Sequence, residues 1–327
     1  MKIEYYLPEK IISNKELYLL FQGFEPDKVE SKIGIRQRHI AGNNETVLDM
    51  AYQASLKVLQ GYDKSKIDFI LFCTQSPDYI LPTTACILQD MLGLSTSVGA
   101  FDFNLGCSGF VYGLSIAKGL IVSGACKEIL LITSETYSKH MHQDDRANRS
   151  IFGDGATATI LNQQDMDKIF KFEFGTDGKG KDNLIVKNGG SRNKIDVNAP
   201  VSTDENGIFV SDNHLYMNGP EIFNFTIERI PEMIQKALLK NNLTMDDIHY
   251  IIFHQANKFM LDYLRKKMKI QEPKFYNNAL FTGNTVSSTV PIALKDCLDN
   301  QIIKKGDKVL LSGFGVGYSW AATIIEI

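Results

Sequence analysis

The sequence predicts an α/β fold made of two similar halves, and three observations indicate it. Apolar segments of strand length alternate with segments of helical pattern along most of the chain, as in layered folds whose helices cover a sheet. The strand segments are nearly continuous in Ile, Leu, Val and Phe, which is typical of strands buried on both faces. Two of them recur in the second half at a nearly constant separation. We therefore expect largely parallel sheets, with a site at the carboxyl ends of their strands.

The predicted elements are spread over both halves. The strands are predicted at 66–73, 100–104, 128–134, 157–162, 248–254, 308–314 and 320–327. The helices are predicted at 45–60, 109–123, 222–240, 258–267 and 290–300. With 327 residues in total, each half is long enough to bury a core.

Two pairs of segments indicate an internal duplication. KIDFILFCTQ (66–75) aligns with DIHYIIFHQA (247–256) at a separation of 181 residues. KEILLITS (127–134) aligns with DKVLLSGF (307–314) at a separation of 180 residues. A chance likeness of apolar strands is the alternative, and two matches at almost one separation disfavour it.

The junction between the halves is polar. Residues 175–215 are rich in Gly, Asn and Asp and interrupt the alternation of strands and helices. Long loops in compact domains are commonly functional lids or mobile linkers, and the sequence leaves both interpretations open. We expect an N-terminal unit over 1–170 and a C-terminal unit over 171–327.

Composition excludes several classes of protein. Lys and Arg total 35 and Asp and Glu total 38, a net charge of −3, so no nucleic-acid partner is expected. No apolar run reaches the roughly 18 residues of a membrane span, and the N-terminus lacks the features of a signal peptide. We therefore expect a cytoplasmic protein without a membrane partner. The five cysteines show neither CxxC nor zinc-site spacing, so no disulfide and no metal site are expected.

One cysteine differs from the others in its setting. Cys107 follows the predicted strand 100–104 and directly precedes the apolar helix 109–123, with Gly106, Ser108 and Gly109 beside it. Free N–H groups and the dipole at a helix N-terminus stabilise a thiolate, so we expect a lowered pKa and a nucleophilic role. The small neighbours would let a substrate approach the sulfur, as in a nucleophile elbow.

Two polar residues of the second half are candidate partners. His254 ends the predicted strand 248–254, where a polar side chain is poorly explained as core filler. Asn284 lies in a Gly–Asn–Thr turn before the predicted helix 290–300. Taken singly, a structural histidine and a turn asparagine remain open alternatives.

Together, the three segments resemble the thiolase-fold condensing enzymes, most closely the β-ketoacyl-acyl-carrier-protein synthase III family. The resemblance rests on NLGCSGFVYGL, HQAN and GNTVSSTVPIAL, and extends to GIRQRHIAGNNET, DRANRSIFGDGATATIL, LYMNGPEIF and GFGVGYSW. It implies a thiolase fold, in which two duplicated halves stack as an αβαβα five-layer sandwich, and a homodimer. It also implies a catalytic triad of Cys107, His254 and Asn284.

The resemblance implies a decarboxylating condensation with no cofactor beyond its thioester substrates. Cys107 would take an acyl group from acyl-CoA or an acyl-carrier protein, with the backbone N–H groups of Cys107 and Val316 as the oxyanion hole. Malonyl-carrier protein would then lose CO2. His254 and Asn284 would donate hydrogen bonds to the resulting enolate, and the carbanion would attack the acyl-cysteine.

The resemblance also assigns residues to the substrate. Arg146 corresponds to one of two residues that hold the CoA adenine in several members of the family, while Lys28 replaces the other, a Trp. Leu81 matches a residue that reaches across the dimer to close the acyl pocket. Phe152, Phe223 and Asn257 are the other residues expected to bind substrate.

The resemblance further implies an acidic carrier protein as partner. Arg265, Lys266 and Lys267 form a basic cluster suited to docking it, with a solvated helix face as the alternative. Phe259 stands where fatty-acid enzymes often have Arg. Together with Lys28, it slightly favours a specialised acyl pathway over the initiation of fatty-acid synthesis.

Two rival functions remain at this stage. One is an enzyme of the same fold that passes the acyl group to an oxygen or nitrogen nucleophile, without decarboxylation. The other is a non-catalytic partner subunit, which retention of Cys107, His254 and Asn284 disfavours.

Overall fold

Two mixed β-sheets form the frame of the molecule in a computed structural model that describes residues 1–203 and 209–327. The strands of the described residues are β1 Lys2–Tyr6, β2 Ile11–Ser13, β3 Gln37–His39, β4 Phe69–Cys73, β5 Gly99–Phe103, β6 Glu128–Glu135, β7 Gly155–Asn162, β8 Glu173–Thr176, β9 Leu184–Ile185, β10 Ser202–Thr203, β11 Phe209–Val210, β12 Tyr216–Met217, β13 Tyr250–Phe253, β14 Lys308–Gly315 and β15 Ser319–Glu326. The larger sheet has the strand order β1-β7-β6-β4-β5 and the smaller one β13-β14-β15-β8.

Helices cover both faces of these sheets. They are α1 Asn14–Leu20, α2 Pro26–Ile33, α3 Val47–Leu59, α4 Thr84–Met91, α5 Gly109–Val122, α6 Arg146–Arg149, α7 Gln163–Met166, α8 Gly219–Lys240, α9 Lys258–Lys267 and α10 Thr289–Asp299. Of the described residues, none form a helix long and apolar enough to cross a membrane.

The helices and sheets stack in five layers. Helices α5 and α10 lie in the middle, because each packs against strands of both sheets. Helices α3 and α4 cover the outer face of the larger sheet, and α8, with α9 packed on it, covers the smaller one. The predicted αβαβα sandwich is therefore confirmed.

The strand order repeats between the halves. In the larger sheet β4 pairs parallel to β6, which pairs antiparallel to β7, which pairs antiparallel to β1. In the smaller sheet β13, β14, β15 and β8 pair in the same order and directions. The aligned segments 66–75 and 247–256 contain β4 and β13, and the other aligned pair contains all but the last residue of β6 and β14. The predicted duplication is thus confirmed by topology.

The prediction of largely parallel sheets was wrong. Only β4–β5, β4–β6 and β13–β14 are parallel, and the other four pairings within the two sheets are antiparallel. β14 and β15 are joined by the short turn 316–318, and strands joined by so tight a turn must run antiparallel. The edge strands β1 and β8 were not predicted, since they are short and only partly buried.

The proposed boundary near residue 170 separates the strands but not the core. Every described strand of the larger sheet precedes it, and every described strand of the smaller sheet follows it. Hydrophobic clusters nevertheless include residues of both halves, such as Leu114 with Leu311. We retain 1–170 and 171–327 as proposed units that share one interior.

The polar segment 175–215 is not a uniform linker. At its start β9 pairs with β12, and Leu184 in β9 is buried. Residues 191–198 are mostly exposed. Near its start the segment is therefore part of the buried interior, whereas residues 191–198 are exposed to solvent.

Candidate active site

Cys107 lies on the turn between β5 and α5, in the middle layer of the molecule. Its side chain is only 5% exposed. Strand β14 passes so closely that a Cβ atom on Gly315 would lie 2.9 Å from the sulfur. A glycine at this position leaves the space in front of Cys107 open.

Two backbone N–H groups lie beside the sulfur of Cys107 and favour its thiolate form. One belongs to Cys107 and the other to Val316, in the turn between β14 and β15. These are the two groups predicted as the oxyanion hole. Their convergence on the sulfur brings them close to the carbonyl oxygen of any acyl group bonded there.

The predicted low pKa of Cys107 was wrong for the free protein. Burial, with a smaller contribution from Glu135, raises the pKa of the thiol to about 12. A helix N-terminus stabilises a charge by about 2 kcal/mol at most, or about 1.5 pKa units. Burial is the larger effect, so Cys107 is a thiol at neutral pH.

His254 follows the last residue of β13 and is almost completely buried. Its Nδ1 atom lies 2.7 Å from Oγ1 of Thr289, in the first turn of α10. The ring of Phe314 stands nearly perpendicular to the imidazole, with the ring centroids 5.8 Å apart. Burial lowers the pKa of His254 to about 3, so the ring is neutral over the physiological range.

Asn284 is held by its backbone and by its side chain. Its N–H donates to the carbonyl of Ile151, and its carbonyl accepts from Gly153 N–H. The side-chain oxygen accepts from Val286 N–H at 2.9 Å. The amide Nδ2 lies 3.5 Å from the carbonyl of Ala256. The Val286 N–H can only donate, so the side-chain atom that accepts from it must be the oxygen. The other end of the Asn284 amide therefore carries the N–H groups.

A cavity of about 130 Å³ brings the three predicted catalytic residues together. Its lining contains Cys107, Ile151, Phe152, Leu184, Met217, Gly219, Ile222, Thr226, His254, Ala256, Asn257, Met260, Asn284, Phe314 and Gly315. Two predicted substrate-binding residues, Phe152 and Asn257, are also in this lining. The Asn257 side chain has a structural task as well, since its oxygen accepts from Met260 N–H and caps α9.

Three predicted substrate-binding residues are not in this lining. In α8, Ile222 and Thr226 line the cavity, while Phe223 packs against Phe259 and Tyr263, and its role in binding substrate remains a proposal. Positions four residues apart share a helix face, and the next residue along points elsewhere.

The other two lie at the surface of the single chain. Arg146 is exposed and borders a separate cavity with Phe21, Thr203 and Phe209. Leu81 is 79% exposed. Neither side chain reaches Cys107 within one copy, so a role in binding substrate remains a proposal for both.

The basic cluster occupies the last turn of α9, where positive charge also stabilises a helix C-terminus. Arg265 is largely covered and lies 3.5 Å from a carboxylate oxygen of Glu272. Lys267 donates to the carbonyl of Ile227 at 2.7 Å. Lys266 is exposed. Of the three, Lys266 is therefore the residue best placed to meet a partner.

Several residues at the site were not predicted from the sequence. Phe314 and Thr289 lie within motifs that carried the family resemblance, but nothing in their types indicated contact with His254. Glu135 is buried behind the site, where its carboxylate accepts from Gln75 N–H and from the hydroxyl of Ser287, each at 3.0 Å. Burial raises the pKa of Glu135 to about 8.

Within the described residues, no group of three or more His, Cys, Asp or Glu side chains could hold a metal ion. The side chains and backbone around the cavity present several groups that can take part in chemistry. These are a thiol, a neutral imidazole, an amide and two convergent backbone N–H groups. They can form a thioester at Cys107 and donate hydrogen bonds to a second carbonyl beside it.

A buried thiol facing histidine and asparagine between two duplicated sheets defines a condensing enzyme of the thiolase fold. Residues 101–178 match the family described as 3-oxoacyl-[acyl-carrier-protein (ACP)] synthase III, and residues 238–327 match its C-terminal part. The chain belongs to this β-ketoacyl-acyl-carrier-protein synthase III family.

Relatives and solved structures support that membership over the whole chain. A synthase III of Clostridium perfringens is 36% identical over 325 residues, covering 98% of this chain and 97% of the relative. One from Streptococcus agalactiae is 34% identical, covering 100% and 98%. A crystal structure of a 3-oxoacyl-(acyl-carrier-protein) synthase III is 45% identical, with a TM-score of 0.96 and coverage of 99% and 98%. A synthase from Burkholderia xenovorans reaches a TM-score of 0.91 at 34% identity, covering 100% and 93%.

Proposed function

We propose that this chain condenses an acyl thioester with malonyl-acyl-carrier protein, losing CO2 and forming a β-ketoacyl-carrier protein. The observation that carries the proposal is the single cavity in which Cys107, His254 and Asn284 meet. The named relatives favour the initiation of fatty-acid synthesis over the specialised pathway that Lys28 and Phe259 suggested.

In the first step the acyl group moves to Cys107. The sulfur attacks the carbonyl carbon of the acyl thioester, and the bond to the CoA or carrier sulfur breaks. The proton of the Cys107 thiol ends on the departing sulfur, so the step is neutral overall. The N–H groups of Cys107 and Val316 would stabilise the oxyanion that forms on the way.

In the second step the malonyl group supplies the nucleophile. The bond to its carboxylate breaks, CO2 leaves, and the electron pair remains as an enolate. The enolate oxygen would accept hydrogen bonds from Nε2 of His254 and Nδ2 of Asn284. The enolate carbon then attacks the acyl carbonyl, and the Cys107 sulfur leaves and takes up one proton. A neutral imidazole suits this task, because a donor that does not titrate keeps its proton across the physiological range.

The proposal includes two protein partners. An acidic carrier protein would dock beside α9, where Lys266 is an exposed cation. A second copy of the chain would form a homodimer. The dimer is supported by the exposed apolar run Tyr79, Ile80 and Leu81 and by β5, which lies at the edge of the larger sheet. The cytoplasmic location stays a prediction.

Intact-protein mass spectrometry tests the first step. Wild type and Cys107→Ala are incubated with a panel of acyl-CoA and acyl-carrier-protein donors. We expect a mass gain of one acyl group in the wild type and none in the variant. No acylation from any donor would contradict the mechanism and favour a partner subunit without catalysis.

Release of labelled CO2 from malonyl-carrier protein tests the second step in the same samples. We expect CO2 and β-ketoacyl-carrier protein in equal amounts. Turnover of the acyl-enzyme without CO2 would instead indicate transfer to an oxygen or nitrogen nucleophile.

A further inference from the structure

The hydrogen bond at Nδ1 of His254 decides what the opposite ring nitrogen can do. A neutral imidazole carries one proton, so one nitrogen donates and the other accepts. Nε2 has no hydrogen-bond partner within the described residues, and His254 lines the cavity of Cys107. If Nε2 is to donate into that cavity, Nδ1 must accept a hydrogen bond.

Thr289 is the group that can supply it. Its Oγ1 lies 2.7 Å from Nδ1 of His254, and the side chain is 3% exposed. For the part of the chain that the structure describes, no other hydrogen-bond donor reaches Nδ1, and the Val286 carbonyl that faces the ring can only accept. The hydroxyl can rotate, so its single proton points either to Nδ1 or elsewhere.

The competing acceptor for that proton is already occupied. Thr289 Oγ1 also lies 3.0 Å from the carbonyl oxygen of Val286. That oxygen accepts the backbone N–H of Thr289, so it has a partner without the hydroxyl. In the tautomer protonated at Nε2, the lone pair of Nδ1 would have no partner without the hydroxyl. The proton therefore satisfies more groups when it is donated to His254.

A hydrogen bond also fixes which end of the Asn284 side chain can donate, in the same cavity as His254. Val286 N–H donates to the Asn284 side-chain oxygen and leaves the amide N–H groups as the end that can donate. In the same way, the Thr289 hydroxyl would donate to Nδ1 of His254 and leave Nε2 as the nitrogen that can donate. Nε2 of His254 and Nδ2 of Asn284 would then both be fixed as donors by a hydrogen bond to another atom of the same side chain. That atom, Nδ1 or the amide oxygen, does not touch substrate.

We propose that Thr289 is a positioning residue whose hydroxyl donates to Nδ1 of His254 and holds the imidazole in the tautomer protonated at Nε2. The inference deepens the proposed condensation, because it assigns the donor used in decarboxylation to a specific hydrogen bond. It makes a statement about the free protein that can be tested without any substrate.

Ring-¹⁵N NMR of histidine-labelled protein tests the tautomer directly. The signals of His254 are assigned by their loss in His254→Gln, and the chemical shifts show which nitrogen carries the proton. We expect Nε2 to be protonated in the wild type and in Thr289→Ser, which keeps a hydroxyl. In Thr289→Val the donor is gone, and we expect Nδ1 to become protonated and donate to the Val286 carbonyl, which faces the ring.

Thr285→Val is the matched control. Thr285 is buried in the same turn, and its hydroxyl oxygen has no hydrogen-bond partner within the described residues. The substitution makes the same change of shape and polarity close to the site. We expect it to leave the tautomer of His254 as in the wild type.

Kinetic measurements distinguish a positioning role of Thr289 from a general loss of active-site structure. Loss of one donor to a developing negative charge typically lowers kcat about 10²–10³-fold. We expect a fall of that order in malonyl decarboxylation by Thr289→Val, with recovery in Thr289→Ser and no fall in Thr285→Val. Acylation of Cys107 should be unchanged in all three, since that step does not use His254 as a donor.

Two results would overturn the inference. One is protonation at Nδ1 in the wild type, and the other is an unchanged tautomer in Thr289→Val. Failure of the proposed function looks different, because the wild type would then release no CO2 while the NMR result for His254 still held.

Discussion

Cys107 lies where two opposing effects on a thiol meet. It precedes a helix, which favours the thiolate, and it is buried, which favours the thiol. The sequence shows the first effect, because a strand, a turn and an apolar helix can be read from the order of residues. It does not show the second, because burial depends on β14 and on both halves of the molecule. The turn and the helix that follows Cys107 were predicted correctly, but the protonation state was not.

The raised pKa leads to a measurable pH dependence. Only the thiolate reacts with iodoacetamide, and the thiolate fraction of a group with pKa about 12 rises tenfold for each pH unit below that value. We expect the alkylation rate at Cys107 to rise from pH 7 to pH 10 without levelling off.

Peptide mass spectrometry resolves the modification at Cys107 from that at the exposed Cys86, which serves as an internal comparison. A rate at Cys107 that levels off below pH 8 would mean that the helix N-terminus is the stronger effect.

His254 and Asn284 illustrate what residue types can and cannot reveal. Their positions after an apolar strand and within a Gly–Asn–Thr turn made them candidates, and the structure brings both to one cavity. The hydrogen bonds that orient them come from Thr289 and Val286, which have no special signature in the sequence. Orientation is therefore a property of packing that only the fold discloses.

At the scale of elements, the approach of β14 to the start of α5 sets the shape of the site. A Cβ atom on Gly313 would lie 2.5 Å from the carbonyl oxygen of Cys107 and 2.7 Å from Cα of Ser108. Both are backbone atoms that cannot turn away as a flexible side chain can. We expect Gly313→Ala to displace the Cys107 turn, slow its acylation and lower the free energy of unfolding by about 1–3 kcal/mol.

Gly119→Ala is the matched control on α5. A Cβ atom there would meet no atom within 4 Å, so the change should instead raise the free energy of unfolding by about 0.5–1 kcal/mol. Urea unfolding and acylation rates of both variants give the comparison. Equal stability and equal acylation in Gly313→Ala and wild type would contradict the close approach of the two elements.

Elements with strong patterns were predicted and weakly patterned ones were not. Helix α9 was predicted with its observed bounds, because its apolar face and its basic end are both visible in the sequence. The edge strands β1 and β8 were missed, since a strand that is only partly buried lacks a continuous apolar run. The direction of pairing was misjudged for β14 and β15, where the turn between them outweighs the tendency of buried strands to pair in parallel.

At the scale of the whole molecule, the duplication explains why the site draws on both halves. The larger sheet and α5 position Cys107, while β13 and the segment before α10 position His254 and Asn284. Because α5 and α10 both lie between the sheets, the two sets of residues face each other in the middle layer. The repeated segments predicted two similar halves. A single sequence does not indicate which side chains of one half contact those of the other.

The exposed run at residues 79–81 is the observation that most strongly supports the proposed homodimer. Ile80 is 93% exposed and Leu81 is 79% exposed, and leaving large apolar side chains in water costs about 1.5–3 kcal/mol each relative to burial. A homodimer that covers this run would regain that free energy and bring Leu81 toward the site of the partner. We expect the wild type to sediment as a dimer and Ile80→Asp to sediment as a monomer with reduced condensing activity. Leu239→Asp, at an equally apolar and 74% exposed position on α8, should remain dimeric. Sedimentation of the wild type as a monomer at micromolar concentration would contradict the dimer and leave Leu81 without a role at the site.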